Sequence, residues 1–153
     1  MACIAQTVNV ISPLMTTPEG ITKQTTWWPL WLFSRFMRGW TIGSHVSSGT
    51  YEGETTPSWV RGAMETPWLD VSATLGEDGF LNVAVVNIHE ERDLESRVEG
   101  VSGEVQVFTV TGGDVFVTNM KGKEEVAVVE SIWGGEGSYV FPKHSLTLLR
   151  WKA

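Results

Sequence analysis

Hydrophobic and polar residues alternate with a period of two from residue 68 onward, which is typical of half-buried β-strands. LDVSATL alternates, and FLNVAVVNI is a strongly apolar strand. Further strands are predicted in EVQVFTV, DVFVTNM, EEVAVVESI and SLTLLRW. Turn residues such as GEDG, TGGD and WGGEG separate these segments. Short strands at this spacing, joined by glycine-rich turns, predict a β-sandwich or a barrel.

A different pattern, in the segment QTTWWPLWLFSRFMR of residues 24–38, predicts a helix. Thr25 or Thr26 can cap it, Pro29 is tolerated in its first turn, and Gly39 follows where a helix end favours glycine. Hydrophobic side chains cover most of its circumference, so the helix needs neighbours on several sides. No other clear helix is predicted, and we therefore expect part of its surroundings to lie outside this chain.

The remaining segments give weaker signals. Residues 2–11, ACIAQTVNVI, are rich in β-branched side chains and are consistent with a buried strand. The proline- and glycine-containing stretch that follows, SPLMTTPEGIT, predicts a loop. Residues 40–67 are rich in Gly, Ser, Thr, Glu and Pro, and predict a long connection before the strands begin.

Composition narrows the class of protein. The chain carries 18 acidic and 11 basic residues, a net charge of -7, so nucleic acid is not an expected partner. Cys3 is the only cysteine, which rules out a disulfide within the chain. The longest hydrophobic run, residues 27–33, contains Pro29 and is too short to span a bilayer, so we expect no membrane partner. The sequence leaves the cellular compartment open.

Few residues carry the signature of a catalytic or metal site. The three histidines, His45, His89 and His144, lack the spacing of metal ligands, and no metal or cofactor is expected. The acidic clusters lie in hydrophilic segments typical of a solvated surface: Glu52, Glu54, Glu65, Glu90, Glu91 and Asp93. Gln6 and Asn9 differ, because they are amides in an apolar run. They either hydrogen-bond nearby backbone or hold a sugar hydroxyl at a strand end. On spacing alone, hydrogen bonding to nearby backbone is favoured.

Longer segments resemble a known family. AQTVNVISPLMTTPEGITKQTTWWPLWLFSRFMRG is similar to the end of the catalytic barrel in α-L-arabinofuranosidases of glycoside hydrolase family 51. PWLDVSATLGEDGFLNVAVVNIHEERD, GEVQVFTVTG and FPKHSLTLLRW resemble the C-terminal domain of that family. The two parts occur in the family's order and cover essentially the whole chain.

The resemblance implies a mostly β fold: a jelly-roll β-sandwich preceded by the last strand and helix of a (β/α)8 barrel. Residues 1–39 would be the last βα unit of the barrel, 40–67 a connection, and 68–153 the C-terminal sandwich. The predicted helix would then face the barrel on one side and the sandwich on another, which accounts for its apolar surface.

The resemblance also implies an activity. Members remove terminal α-L-arabinofuranosyl residues from arabinan, arabinoxylan and related glycans with retention, using two glutamates that have no counterpart in this chain. The chain alone would be inactive, and its partners would be an arabinose-containing saccharide, the rest of the barrel and possible further copies in a homo-oligomer. The family's sugar-binding glutamine at the end of the eighth strand matches Gln6, and Asn9 is a weaker candidate.

Two other functions remain open on the sequence. A carbohydrate-binding module would use exposed aromatic residues for stacking, and Trp59, Trp68 and Trp133 are available. These tryptophans are instead expected to pack in the sandwich or against the barrel. A purely structural role, in which the sandwich supports the barrel, is compatible with the enzyme.

Overall fold

A computed structural model describes residues 4, 6, 8–51, 58 and 66–153. The described residues form ten strands and one helix, in this order: β1 (Leu14–Thr17), β2 (Gly20–Lys23), α1 (Trp27–Phe36), β3 (Trp40–Ile42), β4 (Leu69–Leu75), β5 (Phe80–Asn87), β6 (Leu94–Arg97), β7 (Val105–Val110), β8 (Val128–Trp133), β9 (Ser138–Phe141) and β10 (Ser145–Lys152). The fold is mostly β, as predicted.

The largest unit is an antiparallel sheet of six strands in the order β3-β4-β5-β10-β7-β8. Its centre is β10, which pairs with β5 from Ser145↔Asn87 to Lys152↔Phe80 and with β7 on its other side. Two faces follow from the alternation along β10, because Leu146 and Leu148 point one way and Leu149 the other. Both sets are buried, so each face of the sheet needs a cover.

The small antiparallel sheet β6-β9 covers one face. Side chains from both sheets form this core, and its buried members are Leu69, Val85, Val105, Val107, Phe141, Leu149 and Trp151. Tyr139 of β9 makes edge-on ring contacts with Phe141 and with Trp133 of β8, at centroid distances of 5.0 and 5.4 Å. Two antiparallel sheets enclosing one core confirm the predicted sandwich.

Helix α1 covers the opposite face. Leu32 is fully buried there, in a core whose other buried members are Ala84, Phe108, Val110, Val126, Leu146 and Leu148. The ring of Phe36 packs on that of Phe108 at 4.7 Å, and Trp28 and Trp31 pack beside it. The predicted contact between helix and sandwich is therefore present, and α1 occupies ten of the fifteen residues predicted to be helical.

Five segments differ from the sequence-based expectations. The stretch predicted to be a loop after residue 11 contains the hairpin β1-β2. The segment DVFVTNM forms no strand, and β6 and β9 were not predicted at all. Within the predicted connection, β3 pairs with the edge strand β4. The boundaries proposed at residues 39/40 and 67/68 remain predictions.

In the predicted barrel strand, residues 2–9, positions 2, 3, 5 and 7 lie outside the described residues. Among those that are described, no helix is long and apolar enough to cross a membrane.

Candidate functional site

The candidate sugar contact Gln6 is solvent-exposed and precedes a compact turn. Two residues later, Val8 forms a parallel bridge with Leu14 at the start of β1. The backbone amide of Asn9 donates to the carbonyl of Leu14 at 2.7 Å, and that of Ser12 donates to the carbonyl of Asn9 at 3.1 Å. The chain leaving Gln6 is thus held against the first strand of the hairpin.

Asn9 uses its side chain within this turn. Its Oδ1 accepts the backbone N–H of Thr16 at 2.7 Å, and its Nδ2 donates to the hydroxyl of Thr16 at 2.9 Å. The backbone of Asn9 is left-handed, with φ of 63°, a conformation that asparagine tolerates better than most residues. The amide of Asn9 is therefore engaged with Thr16 within the turn.

The hairpin β1-β2 is attached to the sandwich through the loop between β7 and β8. Asn119 in this loop donates its Nδ2 to the carbonyl of Lys23 at 3.0 Å, where β2 ends. At the tip of the hairpin, Lys121 pairs with Glu19 at 3.4 Å between Nζ and Oε2. The N-terminal region and the sandwich therefore share polar contacts as well as the packing of α1.

Apolar side chains are exposed beside Gln6 and the hairpin. Val10 and Ile11 in the turn are each 76% exposed, and Ile21 of β2 is also exposed. Single exposed apolar residues are ordinary. A separate apolar groove lies beside α1. The groove has a cavity volume of about 380 Å³, and its walls include Pro29, Phe33, Val86, Ile88, Val115 and Leu146. An apolar surface of this kind suits packing against protein better than binding a sugar.

His144 lines this groove and bridges two loops. Its Nδ1 lies 3.0 Å from the carbonyl oxygen of Glu90, and its Nε2 lies 2.9 Å from that of Gly112. His89 instead accepts backbone N–H groups of Glu91 and Arg92 on its Nδ1. Both rings are engaged in loop structure. No cluster of His, Cys, Asp or Glu that could hold a metal occurs in the part of the chain that the structure describes.

The remaining candidate residues are exposed, take part in structural contacts or lie outside the described residues. Asp93 accepts the backbone N–H of Lys143 at 2.9 Å, and Glu90 and Glu91 are exposed. Trp68 packs on His89 at 4.4 Å, and Trp133 packs on Tyr139, so both favour packing over stacking on a free ligand. The acidic residues Glu52, Glu54 and Glu65, together with Trp59, lie outside the described residues.

Asn119 is the contact that sequence reasoning missed. It sits in the segment DVFVTNM, which is predicted to be a strand. In the structure Asn119 is buried and joins segments 96 residues apart in the chain. The only signal for it in the sequence is an amide within an apolar run, which is the same signal that singled out Gln6 and Asn9.

Known proteins match both the N-terminal region and the sandwich of this chain. The family model "Alpha-L-arabinofuranosidase C-terminal domain" matches residues 1–145. "Probable alpha-L-arabinofuranosidase C" of Aspergillus flavus is 77% identical over all 153 residues, which cover 30% of that protein. The arabinose complex of Thermotoga maritima α-L-arabinofuranosidase superposes with a TM-score of 0.81 at 26% identity, over 97% of this chain and 33% of that one.

A second solved structure gives the same fold. The thermostable GH51 α-L-arabinofuranosidase of Thermotoga petrophila superposes with a TM-score of 0.76 at 24% identity, again over 97% of this chain and 33% of that one. The chain thus spans about 30% of the length of the curated relative and a third of each solved chain.

Proposed function

The chain belongs to the α-L-arabinofuranosidase C-terminal domain family, and from this premise we propose that it works as the C-terminal part of a retaining α-L-arabinofuranosidase. Family membership confirms the resemblance drawn from the sequence. The proposed enzyme removes terminal non-reducing α-L-arabinofuranosyl residues from arabinan, arabinoxylan and related glycans. The observation that carries the proposal is the match of the whole chain, at 77% identity, to 30% of a protein named for this activity.

Retention of configuration requires two carboxyl groups on opposite sides of the scissile bond. One carboxylate attacks the anomeric carbon while the other, as an acid, protonates the departing oxygen, and the second group then activates water to release the sugar. Such groups stand roughly 5–5.5 Å apart around the sugar. Among the described carboxylates, Glu90 and Glu91 are exposed and Asp93 caps a backbone amide. From the family resemblance, we place both catalytic glutamates on earlier barrel strands, outside this chain.

Gln6 is the residue of this chain that we assign to the substrate. Its amide can donate to and accept from sugar hydroxyls, which a furanose ring presents on adjacent carbons. The resemblance puts Gln6 at the C-terminal end of the eighth barrel strand, and barrel enzymes build their sites from these strand ends. Its exposure in the structure leaves it accessible to a ligand. Asn9 is the weaker candidate, because its amide already bonds Thr16.

The rest of the barrel is the proposed partner of the exposed apolar surface. Val10, Ile11 and Ile21 lie on the hairpin side, and Phe33 lies on α1 at the groove. Burying this surface stabilises the association by roughly 25 cal/mol for each Å² of apolar area removed from water. Homo-oligomer formation by the complete enzyme stays a prediction.

The test uses the enzyme in which this chain is joined to its catalytic part. Gln6→Ala is expected to lower kcat/KM for an aryl α-L-arabinofuranoside at least about tenfold, which corresponds to about 1.4 kcal/mol of lost transition-state binding. The matched control is Gln106→Ala, an exposed glutamine on β7 of the sandwich, which is expected to leave kcat/KM unchanged.

The 153-residue chain alone is expected to show no turnover of the same substrate. Hydrolysis by the pure chain would refute the placement of both glutamates outside it. Equal activity of the Gln6→Ala and Gln106→Ala enzymes would instead refute the role of Gln6.

A further inference from the structure

The side chain of Asn119 joins the sandwich to the hairpin. Asn119 is 1% exposed and lies in the loop that connects β7 to β8. Its Oδ1 accepts the backbone N–H of Val126 at 2.9 Å, and its Nδ2 donates to the carbonyls of Val126 at 2.7 Å and Lys23 at 3.0 Å. The two bonds to Val126 close the loop, and the bond to Lys23 reaches the end of β2.

The hydrogen-bond partners fix the orientation of this amide. Exchanging its oxygen and nitrogen would set the oxygen against two carbonyl oxygens and the NH₂ group against an N–H. Three polar backbone groups would then lose their bonds in a buried place, which is costly. Alanine satisfies none of these groups, and aspartate satisfies only the N–H of Val126.

From Lys23 a short path of backbone pairs leads toward Gln6. Lys23 is the register partner of Leu14 across the hairpin. Leu14 in turn bridges Val8, and its carbonyl accepts the amide of Asn9 at 2.7 Å. Asn119, Lys23, Leu14 and Val8 are thus successive neighbours, and Gln6 is two residues beyond Val8. The ion pair between Lys121 and Glu19 is a second contact between the same loop and the hairpin.

We propose that Asn119 is a positioning residue that acts through the hairpin to hold Gln6 in register with the sugar. The proposal rests on the proposed function, in that it needs Gln6 to contact the substrate. The sandwich then contributes to catalysis indirectly, because a contact made by its own loop fixes the position of Gln6 at the end of the barrel strand. Small displacements of a binding group can cost up to about a hundredfold in rate, so a hydrogen bond of this kind is enough to matter.

The first test needs no activity and uses this chain. Amide hydrogen exchange of Asn119→Ala is compared with that of Thr111→Val, which removes a loop hydrogen bond to the carbonyl of Lys143 without touching the hairpin. Asn119→Ala is expected to speed exchange of the hairpin amides at residues 16–23 about tenfold or more, and Thr111→Val is expected to leave them unchanged. Unchanged exchange of the hairpin in Asn119→Ala would overturn the proposal. Asn119→Ser, a milder change, replaces Asn119→Ala if the latter does not fold.

The second test is kinetic and uses the joined enzyme. Asn119→Ala is expected to lower kcat/KM about tenfold while Thr111→Val does not, both measured well below their unfolding temperatures. If Asn119 acts through Gln6, the double variant with Gln6→Ala is no worse than Gln6→Ala alone. Losses that multiply in the double variant would overturn the proposal. Full activity of Gln6→Ala would refute the substrate role of Gln6 itself, and the exchange result would still report whether Asn119 holds the hairpin.

Discussion

The packing of α1 on the sandwich can be tested at Leu32. This side chain is 0% exposed and inserts among Ala84, Phe108 and Leu148 on one face of the six-stranded sheet. The substitution Leu32→Ala removes most of it while keeping a residue with high helix propensity. Any loss of stability therefore reports the contact between helix and sheet and not the helix itself.

The expected loss follows from burial. The deleted carbon atoms contribute about 2.4 kcal/mol of transfer free energy at about 0.8 kcal/mol each. A rigid β-sheet cannot collapse fully into the space, so a cavity term is added, and buried Leu→Ala changes cost roughly 2.7–5 kcal/mol. We expect the free energy of unfolding to fall by about 3 kcal/mol. With a urea m-value of about 2 kcal/mol/M for a chain of this size, the midpoint falls by about 1.5 M.

The assay is equilibrium unfolding in urea, followed by tryptophan fluorescence and by circular dichroism. Phe33→Ala on the same helix is the comparison, because Phe33 is 40% exposed and lies outside the buried core. It removes a larger side chain and is nevertheless expected to lose less stability than Leu32→Ala. A loss below about 1 kcal/mol for Leu32→Ala, or the reverse order of the two variants, would refute the docking of α1 through Leu32.

Two further variants probe an ion pair and a close approach of the backbone. Arg150 donates to the carboxylate of Asp78 and lowers the pKa of Asp78, so the pair stabilises the fold above the unfolded-state pKa near 3.9 and this contribution is lost as the pH falls. Asp78→Asn is therefore expected to lower the thermal midpoint at pH 7, and its difference from the parent is expected to shrink as the pH falls below about 3.9; a difference that is constant with pH would contradict this. Gly39→Ala is expected to cost more than about 1 kcal/mol, because φ is 103° and the new Cβ would lie 2.2 Å from the carbonyl oxygen of Leu75. Gly43→Ala, whose Cβ would meet nothing within 4 Å, is the control in urea unfolding, and equal stability of the two variants would refute the clash.

The strands of the large sheet could be predicted because both of its faces are buried along their central part. In β5 and β10, apolar side chains occur on both faces, and Leu146, Leu148 and Leu149 of β10 are all buried. A run that is apolar on both faces predicts a strand in the centre of a sheet. The small sheet gave no comparable signal. Its strand β6 reads LESR and buries apolar surface through Leu94 alone, so the sequence resembles a polar turn.

The segment DVFVTNM shows where alternation misleads. Asp114 accepts the backbone N–H of Phe116 at 2.7 Å, which turns the chain locally and leaves Phe116 87% exposed. Asn119 bonds both backbone groups of Val126, which makes a further loop where strand pairing was expected. Side chains of Asp and Asn compete in this way with the hydrogen bonds of a sheet, and a hydrophobic pattern does not record the outcome.

The hairpin explains why the site was only partly predictable. Its sequence, with Pro18 and Gly20 at the turn, is that of a loop, and its pairing is stabilised by groups distant in sequence. The amide of Asn119 and the ammonium of Lys121 reach it from the sandwich, across about two thirds of the chain. A residue such as Gln6 can be singled out from a motif, whereas the pairing of the hairpin that follows it involves these long-range bonds. If Gln6 contacts the sugar as proposed, the sandwich is part of the framework of that site, because the loop that carries Asn119 also bonds the end of β2.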